Sequence, residues 1–303
     1  MNTTRRSFIK KTSLTIAGAA LFSDSIFAHF KNDQLTGVQL YSIRDAMKKD
    51  PYNSLKQLSG MGYKNVEHAN YVDRKFYGYS AKEFRKILDD LDLRMVSGHT
   101  VMHLQHWDSG ANDFTSEWKY TIEDAATLGQ SYVISPWLDE SLRKNYDDLL
   151  HFMDLFNKCG ALCKQSGMLF GYHNHDFEFN TTVNGKNLYD IILQNTDPKF
   201  VFQQLDIGNM YETGGRAEKI IGQYPGRFLS MHVKDEIKGA GDPGHQYEST
   251  ILGKGVIDVK SILALAKKSG GTKHFIIEQE SYQGQDPMDA VKEDLAVMKK
   301  WGY

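Results

Sequence analysis

LFGYHNH at residues 169–175, FVFQQLDI at 200–207 and FLSMHVK at 228–234 are three short runs rich in aromatic and β-branched residues, and the segments between them, at 187–195 and 215–223, have helical period. A run of this length that stays apolar until its last residues reads as a strand buried on both faces, as in a parallel sheet covered by helices. Each run with its helical partner takes about 30 residues, the length of one strand and its returning helix. The same unit recurs on both sides. Strand-like runs lie at 37–43, 64–68, 94–99, 132–137 and 274–280, and helical stretches at 51–60, 80–91, 115–128, 145–166, 258–269 and 286–300, with Gly60, Gly129 and Gly167 as expected helix ends. Eight alternating units favour a closed (β/α)8 TIM barrel, one α/β domain over residues 35–303, above an open doubly wound sheet. No Gly-x-Gly-x-x-Gly follows the first strand, so a dinucleotide fold lacks its phosphate turn.

With 36 basic and 38 acidic residues among 303, the net charge is −2, which gives no basic surface for a nucleic-acid partner. Cys159 and Cys163 stand four apart in a helical stretch and read as small buried hydrophobes rather than a bridge or a metal pair. The N-terminus resembles a twin-arginine signal peptide: Thr4-Arg5-Arg6-Ser7-Phe8-Ile9-Lys10, then an apolar run from Leu14 to Phe22, then Ala28 as the last residue before cleavage. That resemblance implies removal of residues 1–28 and an exported, periplasmic protein. The apolar run falls well short of the ~20 residues a spanning helix needs, so no membrane anchor is expected after processing.

In a TIM barrel the C-terminal ends of the strands meet at one mouth. Here those ends carry Glu67-His68, His99, His173-Asn174-His175, Asp206, His232-Val233-Lys234-Asp235 and Glu278-Gln279-Glu280. Five of the 11 histidines fall there, and imidazoles with carboxylates make a site for a divalent Zn, Mn, Fe, Co or Mg ion. His173 and His175 are two apart and should share a face, as should Glu278 and Glu280, whereas His68 alternates with Glu67 and should face away. Asp206 could instead cap the helix that follows it. Glu67 lies deep enough in its strand to require a cation or a ligand histidine as partner.

The combination Leu205-Asp206-Ile207-Gly208-Asn209, His232-Val233-Lys234-Asp235 and Ile277-Glu278 resembles the sugar isomerase/epimerase branch of the xylose isomerase-like barrels, which includes ketose epimerases, inosose dehydratases and dehydroshikimate dehydratases. The resemblance implies one divalent metal held by a Glu of strand five, an Asp of strand six, a His of strand seven and a Glu of strand eight. Asp206, His232 and Glu278 match. At strand five the family's Glu-x-His is replaced by His173-Asn174-His175, so His173 is the expected fourth ligand and a paired-carboxylate proton relay comes into question.

The chemistry so implied is proton abstraction next to a carbonyl of a keto-sugar, through an enediolate. Glu278 or His175 would be the base, Lys234 would hold the oxyanion and Glu67 or His99 would be the acid, while His99, His103, Asn209 and Glu280 would contact substrate. The second proton decides between a sugar isomerase or epimerase and a lyase, dehydratase or hydrolase that opens 3-keto-glycosides. A phosphorylated substrate is not expected, since Gly253-Lys254-Gly255 is only a modest cradle. A non-catalytic carbohydrate-binding barrel would use Trp107, Trp118 and Trp137 as stacking platforms. A metal-dependent endonuclease of the same superfamily fits the charge poorly. The expected partner is a small sugar or glycoside, and a homo-oligomer stays open.

Overall fold

The computed structural model describes residues 35–239 and 245–303. The expected signal peptide lies outside the described residues. Eight parallel strands close into a barrel: β1 (Leu35–Gln39), β2 (Asn65–His68), β3 (Arg94–His99), β4 (Tyr132–Ser135), β5 (Leu169–His173), β6 (Val201–Asp206), β7 (Ser230–Val233) and β8 (His274–Ile277). Sequence neighbours pair throughout, and β8 closes onto β1. Eight helices cover the outside: α1 (Pro51–Met61), α2 (Ala81–Asp90), α3 (Ser116–Leu128), α4 (Tyr146–Gln165), α5 (Leu188–Asn195), α6 (Ala217–Gln223), α7 (Val259–Leu265) and α8 (Pro287–Trp301). The TIM-barrel expectation holds. Among the described residues no helix is long and apolar enough to cross a membrane.

Local chemistry sets the helix ends. Asp50, Ser80, Thr115, Asn145, Asn187, Asp258 and Asp286 each accept a backbone N–H of the first turn that has no partner inside the helix. Pro51 and Pro287 occupy first-turn positions that need no donor. α3 ends on Gly129 in the left-handed region, as expected. α1 does not end at Gly60: it runs to Met61 and is capped by Gly62 at φ 99°, because the cap must fall where the chain turns back toward β2.

Strand parity sorts the residues into layers. On β6, Phe202 packs with Tyr132 and Ile134 in a small cluster separate from the main core. Gly171 on β5 makes room for it, since a Cβ there would stand 2.5 Å from the Phe202 ring. This cluster is the floor inside the barrel, so Gln204 and Asp206, at steps of two along β6, face inward above it. The opposite parity, including Val38, Val66, Phe170, Leu205, Met231 and Phe275, packs outward against the helices in one continuous core. Trp118, Cys159 and Cys163 belong to that core. The Trp118 indole donates to Cys159 Sγ at 3.2 Å, and both thiols are free and buried.

Most expected strands are shorter than their runs, and three of them show how the chain leaves the barrel. β1 stops at Gln39 and the chain turns through a 3-10 helix (Leu40–Ile43) into a helix at Arg44–Lys49, while β5 stops at His173 and β8 at Ile277. The connections after β3 and β7 contain antiparallel hairpins, Trp107–Asp108 with Asp113–Phe114 and Asp235–Lys238 with Tyr247–Thr250.

Candidate active site

Above the floor lies a polar layer centred on Glu67. The register pairs Glu67 with Gln39 of β1 and Ser97 of β3. Its carboxylate is fully buried and accepts from Gln39 Nε2 (2.8 Å), Gln204 Nε2 (2.8 Å), His232 Nε2 (2.6 Å) and the Ser97 hydroxyl, with His99 Nε2 at 3.2 Å. Burial pushes the Glu67 carboxyl up, but His99 and His232 beside it outweigh this and hold it well below its ordinary range. Both oxygens are engaged beneath His232, which suits a group that fixes an imidazole rather than one that touches substrate.

The next layer is the mouth. Asp206 and His232 are register partners on β6 and β7, and Glu278 follows β8 by one residue. His232 Nδ1 lies 3.0 Å from Glu278 Oε2 and 3.7 Å from Asp206 Oδ2. One atom each from Asp206, His232 and Glu278 falls within 4.8 Å of the others, and so does one each from His99, His173 and His232. His173 turns Nδ1 to Gln204 Oε1 at 3.0 Å, which leaves Nε2 as its ligand atom. Asp206 does cap the helix that follows it, and this leaves its other oxygen over. Oδ1 caps the next helix through Asn209 N (2.7 Å), and Oδ2 is buried with no hydrogen bond among the described residues.

A buried carboxylate oxygen without a hydrogen bond, beside two imidazoles and a second carboxylate, is a donor set that fits a divalent ion. In the arrangement described here, cations of the chain itself stand among these oxygens. Lys234 Nζ lies 2.7 Å from Glu280, 2.9 Å from Glu278 and 3.2 Å from Asp206. Burial opposes the charge on Lys234, but Asp206, Glu278 and Glu280 raise its pKa well above the ordinary value. Burial likewise opposes protonation of His232, yet Glu278 and Glu67 raise it to about 10. Two neighbouring imidazoles go the opposite way. His173 falls well below its usual value through burial and the neighbouring histidines, and His175 falls to about 4 through burial and Lys234.

A cavity of about 1020 Å³ opens over this layer, and His99, His173, His175, Asn209, Glu278 and Glu280 line it. His173 and His175 share a side, as expected, although the strand ends between them. His175 is held by its backbone N–H, which donates to buried Glu178 at 2.9 Å, and its ring lies edge-on to Trp137. His68 faces outward, its ring edge-on to Phe76 at 4.9 Å.

Two expectations need correction, and the modest glycine cradle proves closed. His103 does not line the cavity; it pairs with Asp139 at 3.1 Å on the rim, because the chain after β3 turns away through a 3-10 helix (Leu104–His106). Of the three proposed stacking tryptophans only Trp137 lines the mouth, since Trp118 sits on the core face of α3 and Trp107 packs against Phe114. The amides of Gly253 and Gly255 are not open to a phosphate, because both donate to Asp235 Oδ2, at 2.8 and 2.9 Å. Sequence reasoning missed Gln204, Glu178 and Glu236. The first two have no motif, and Glu236 lies beyond the end of its strand-like run, in a connection without a period of its own.

A family model described as a xylose isomerase-like TIM barrel matches residues 55–301. An inosose dehydratase of Lacticaseibacillus casei is 27% identical over 190 residues, 56% of this chain and 60% of that protein, so this chain spans less than two thirds of the curated relative. A sugar phosphate isomerase/epimerase from Parabacteroides distasonis ATCC 8503 is 25% identical and superposes with a TM-score of 0.72 over 89% of this chain and 95% of that one. A protein described as IOLI, with a zinc atom bound, shares the fold at 15% identity and a TM-score of 0.66, over 88% of this chain and 97% of that one.

Proposed function

The chain belongs to the xylose isomerase-like TIM-barrel family, and on that premise we propose that it is a divalent-metal lyase that eliminates a β-substituent from a keto-sugar, keto-polyol or 3-keto-glycoside. One observation carries the reading: the two walls of the mouth differ in kind. Glu278 and Glu280 follow β8 and are paired with buried Lys234 after β7, whereas the imidazoles of His99, His173 and His175 come from β3 and β5 across the closed barrel. Epimerisation exchanges protons on two opposite faces and is served by two like acid–base groups, whereas elimination takes a proton with one group and releases a substituent with another. The inosose dehydratase relative points the same way.

His173, Asp206, His232 and Glu278 would hold the ion, which would supply Lewis-acid polarisation of the substrate carbonyl. The remaining roles belong to the chain. His175, uncharged and with a buried Nδ1 free of hydrogen bonds among the described residues, takes the proton next to the carbonyl. Lys234 presents its ammonium to the oxygen on which negative charge develops. Glu67 keeps a proton on His232 Nε2 and so points Nδ1 at the ligand carboxylates. Asn209, 3.4 Å from Lys234 Nζ through Oδ1, orients the substrate hydroxyls together with His99 and Glu280.

Isomerase or epimerase activity is the second reading, favoured by the similarity to the Parabacteroides distasonis protein. Export to the periplasm belongs to the proposal and rests on Arg5-Arg6 and the apolar run that follows. Replacing both arginines by lysine should retain the protein in the cytoplasm. The activity test is proton NMR in D₂O with Mn²⁺ or Co²⁺, using inosose and 3-keto-glucosides. Formation of an α,β-unsaturated ketone is the expected result. Deuterium incorporation with the carbon skeleton and substituents retained favours the second reading, and no change with metal present refutes both.

A further inference from the structure

Elimination requires an acid at the departing oxygen, and neither group expected to fill that role is free to do so. Glu67 has both oxygens engaged below the mouth, and His99 Nε2 faces Gln204 Oε1 at 2.7 Å and Glu67 Oε1 at 3.2 Å. The hairpin after β7 supplies another carboxyl. Along Asp235–Lys238 successive side chains alternate. Asp235 turns away from the mouth and accepts the amides of Gly253, Gly255, Ile257 and Glu236. Glu236 therefore points the other way, over Gly208 just beyond β6. A Cβ on Gly208 would stand 2.6 Å from Lys234 Cδ and closer still to Glu236 Oε1, so the glycine makes the room that Glu236 occupies.

Glu236 lines the cavity together with His175 and Glu280, yet it is only 6% exposed. Its carboxyl makes no hydrogen bond with the described residues. The charged groups that face it are Lys234, Asp206, Glu280 and Glu212. Burial raises it to about 8, with Asp206, Glu280 and Glu212 adding to the rise and Lys234 opposing it. At neutral pH it holds a proton for which the described residues offer no acceptor. Glu280 is already engaged by Lys234 Nζ at 2.7 Å.

We propose that Glu236 is the catalytic acid that protonates the leaving oxygen, a role that rests on the elimination reading above. For a 3-keto-glucoside, His175 takes the proton from C2 and the C2–H electron pair passes into the enolate. As the carbonyl reforms, the C1–C2 double bond forms and the C1–O bond breaks. The departing oxygen takes the proton of Glu236 and leaves as the alcohol. His175 ends as imidazolium and Glu236 as carboxylate, and transfer of one proton through solvent restores both.

The test compares wild type and Glu236→Gln on two 3-keto-glucosides, the methyl glycoside, whose alkoxide needs a proton to leave, and the 4-nitrophenyl glycoside, whose phenolate does not. Circular dichroism and Tm establish that the variant folds. Loss of the acid should slow release of methanol by about 10²–10⁴-fold, the usual worth of general acid catalysis, and release of nitrophenol by less than about tenfold. Deuterium exchange at C2 should persist in the variant. Equal slowing of both substrates, or no slowing of either, overturns the assignment. If wild type releases neither aglycone, the elimination reading itself fails and the acid role falls with it.

Discussion

Glu67→Gln changes one buried oxygen to an NH₂ group and leaves the shape intact, so its effect can be worked from the contacts. Oε1 faces Gln39 Nε2 and His232 Nε2, and Oε2 faces Gln204 Nε2 and the Ser97 hydroxyl. An amide nitrogen at the Oε2 position can be satisfied by Ser97, whose hydroxyl turns to accept, but it meets the Gln204 amide donor to donor. Flipping Gln204 brings its own NH₂ against His99 Nε2 and His173 Nδ1, which now face its oxygen at 2.7 and 3.0 Å. One donor is stranded either way, at about 1–3 kcal/mol, and the charge-assisted bonds that are lost add about 1.5–3 kcal/mol. The sum, roughly 2.5–6 kcal/mol, brackets the usual cost of breaking a buried ion pair, about 3–5 kcal/mol.

A second consequence follows for the ion. Without the carboxylate on Nε2, His232 loses the partner that fixes its tautomer, and metal affinity should fall about 10–100-fold. Thermal denaturation of the metal-free protein reads the first effect, expected as a drop in Tm of roughly 10 °C for a domain of this size. Calorimetric titration with Zn²⁺ or Mn²⁺ reads the second. A variant whose Tm stays within about 2 °C, which is under ~1 kcal/mol, and whose metal affinity is unchanged would refute the role given to this layer.

Metal binding should be pH-dependent in a definite direction. His232 is held at about 10 in the folded chain, above its ordinary value of 6.5, so its contribution to metal-free stability is complete below about 6.5 and is lost as pH rises through 10. An ion on Nδ1 must displace that proton, so affinity should rise by up to about tenfold per unit between pH 6.5 and 9, with proton release visible in buffers of different ionisation heat; a flat profile contradicts this. Gly160→Ala should destabilise the fold by about 1–3 kcal/mol despite ~1 kcal/mol of helix propensity, because the new Cβ would stand 2.7 Å from the Phe200 carbonyl carbon and nearer its oxygen; an unchanged Tm would refute it. Buried Asp294 is pushed to about 7 by burial, above an unfolded value near 3.9, so stability falls as pH rises between those values. Asp294→Asn keeps an acceptor for Leu252 N and should gain on wild type more at pH 8 than at pH 5, which Tm at the two pH values decides.

The barrel was legible because its strands are buried on both faces, so each run such as FVFQQLDI stands out between helical segments. Asp206, His232 and Glu278 were legible because a strand end in this fold has one destination. The same clarity misplaced strand ends. Apolar residues continue past β1 into Leu40 and Ile43, which are buried in a 3-10 turn, and hydrophobicity alone does not distinguish the two. Two-residue strands such as Trp107–Asp108 are too short to show a period at all. Glu236 was hidden for a further reason: its direction depends on Asp235 collecting amides 18 to 22 residues away, a long-range choice that no local pattern records.

The exchange of a strand-five carboxylate for His173 acquires its meaning from the charges around it. With His173 neutral, Asp206 and Glu278 bring two negative charges to the proposed ion, so ion and ligands sum to zero, where a third carboxylate would leave a net negative set. Lys234 and Glu280 cancel in the same way, at 2.7 Å. An enolate forming in this mouth therefore adds its charge to a nearly neutral surrounding, apart from the buried Glu67 carboxylate, whose field the proton on His232 Nε2 offsets. Lys234 stands at Asp206 Oδ2 and Glu278 Oε2, on two residues that would hold the ion, so a bound ion would weaken two of its ion pairs and free its ammonium to turn to the substrate oxygen. On this argument Lys234→Met should raise metal affinity, because two carboxylate oxygens lose their competing cation, while turnover falls by orders of magnitude. A variant that binds metal more weakly would show that Lys234 supports the ligand set instead of competing for it.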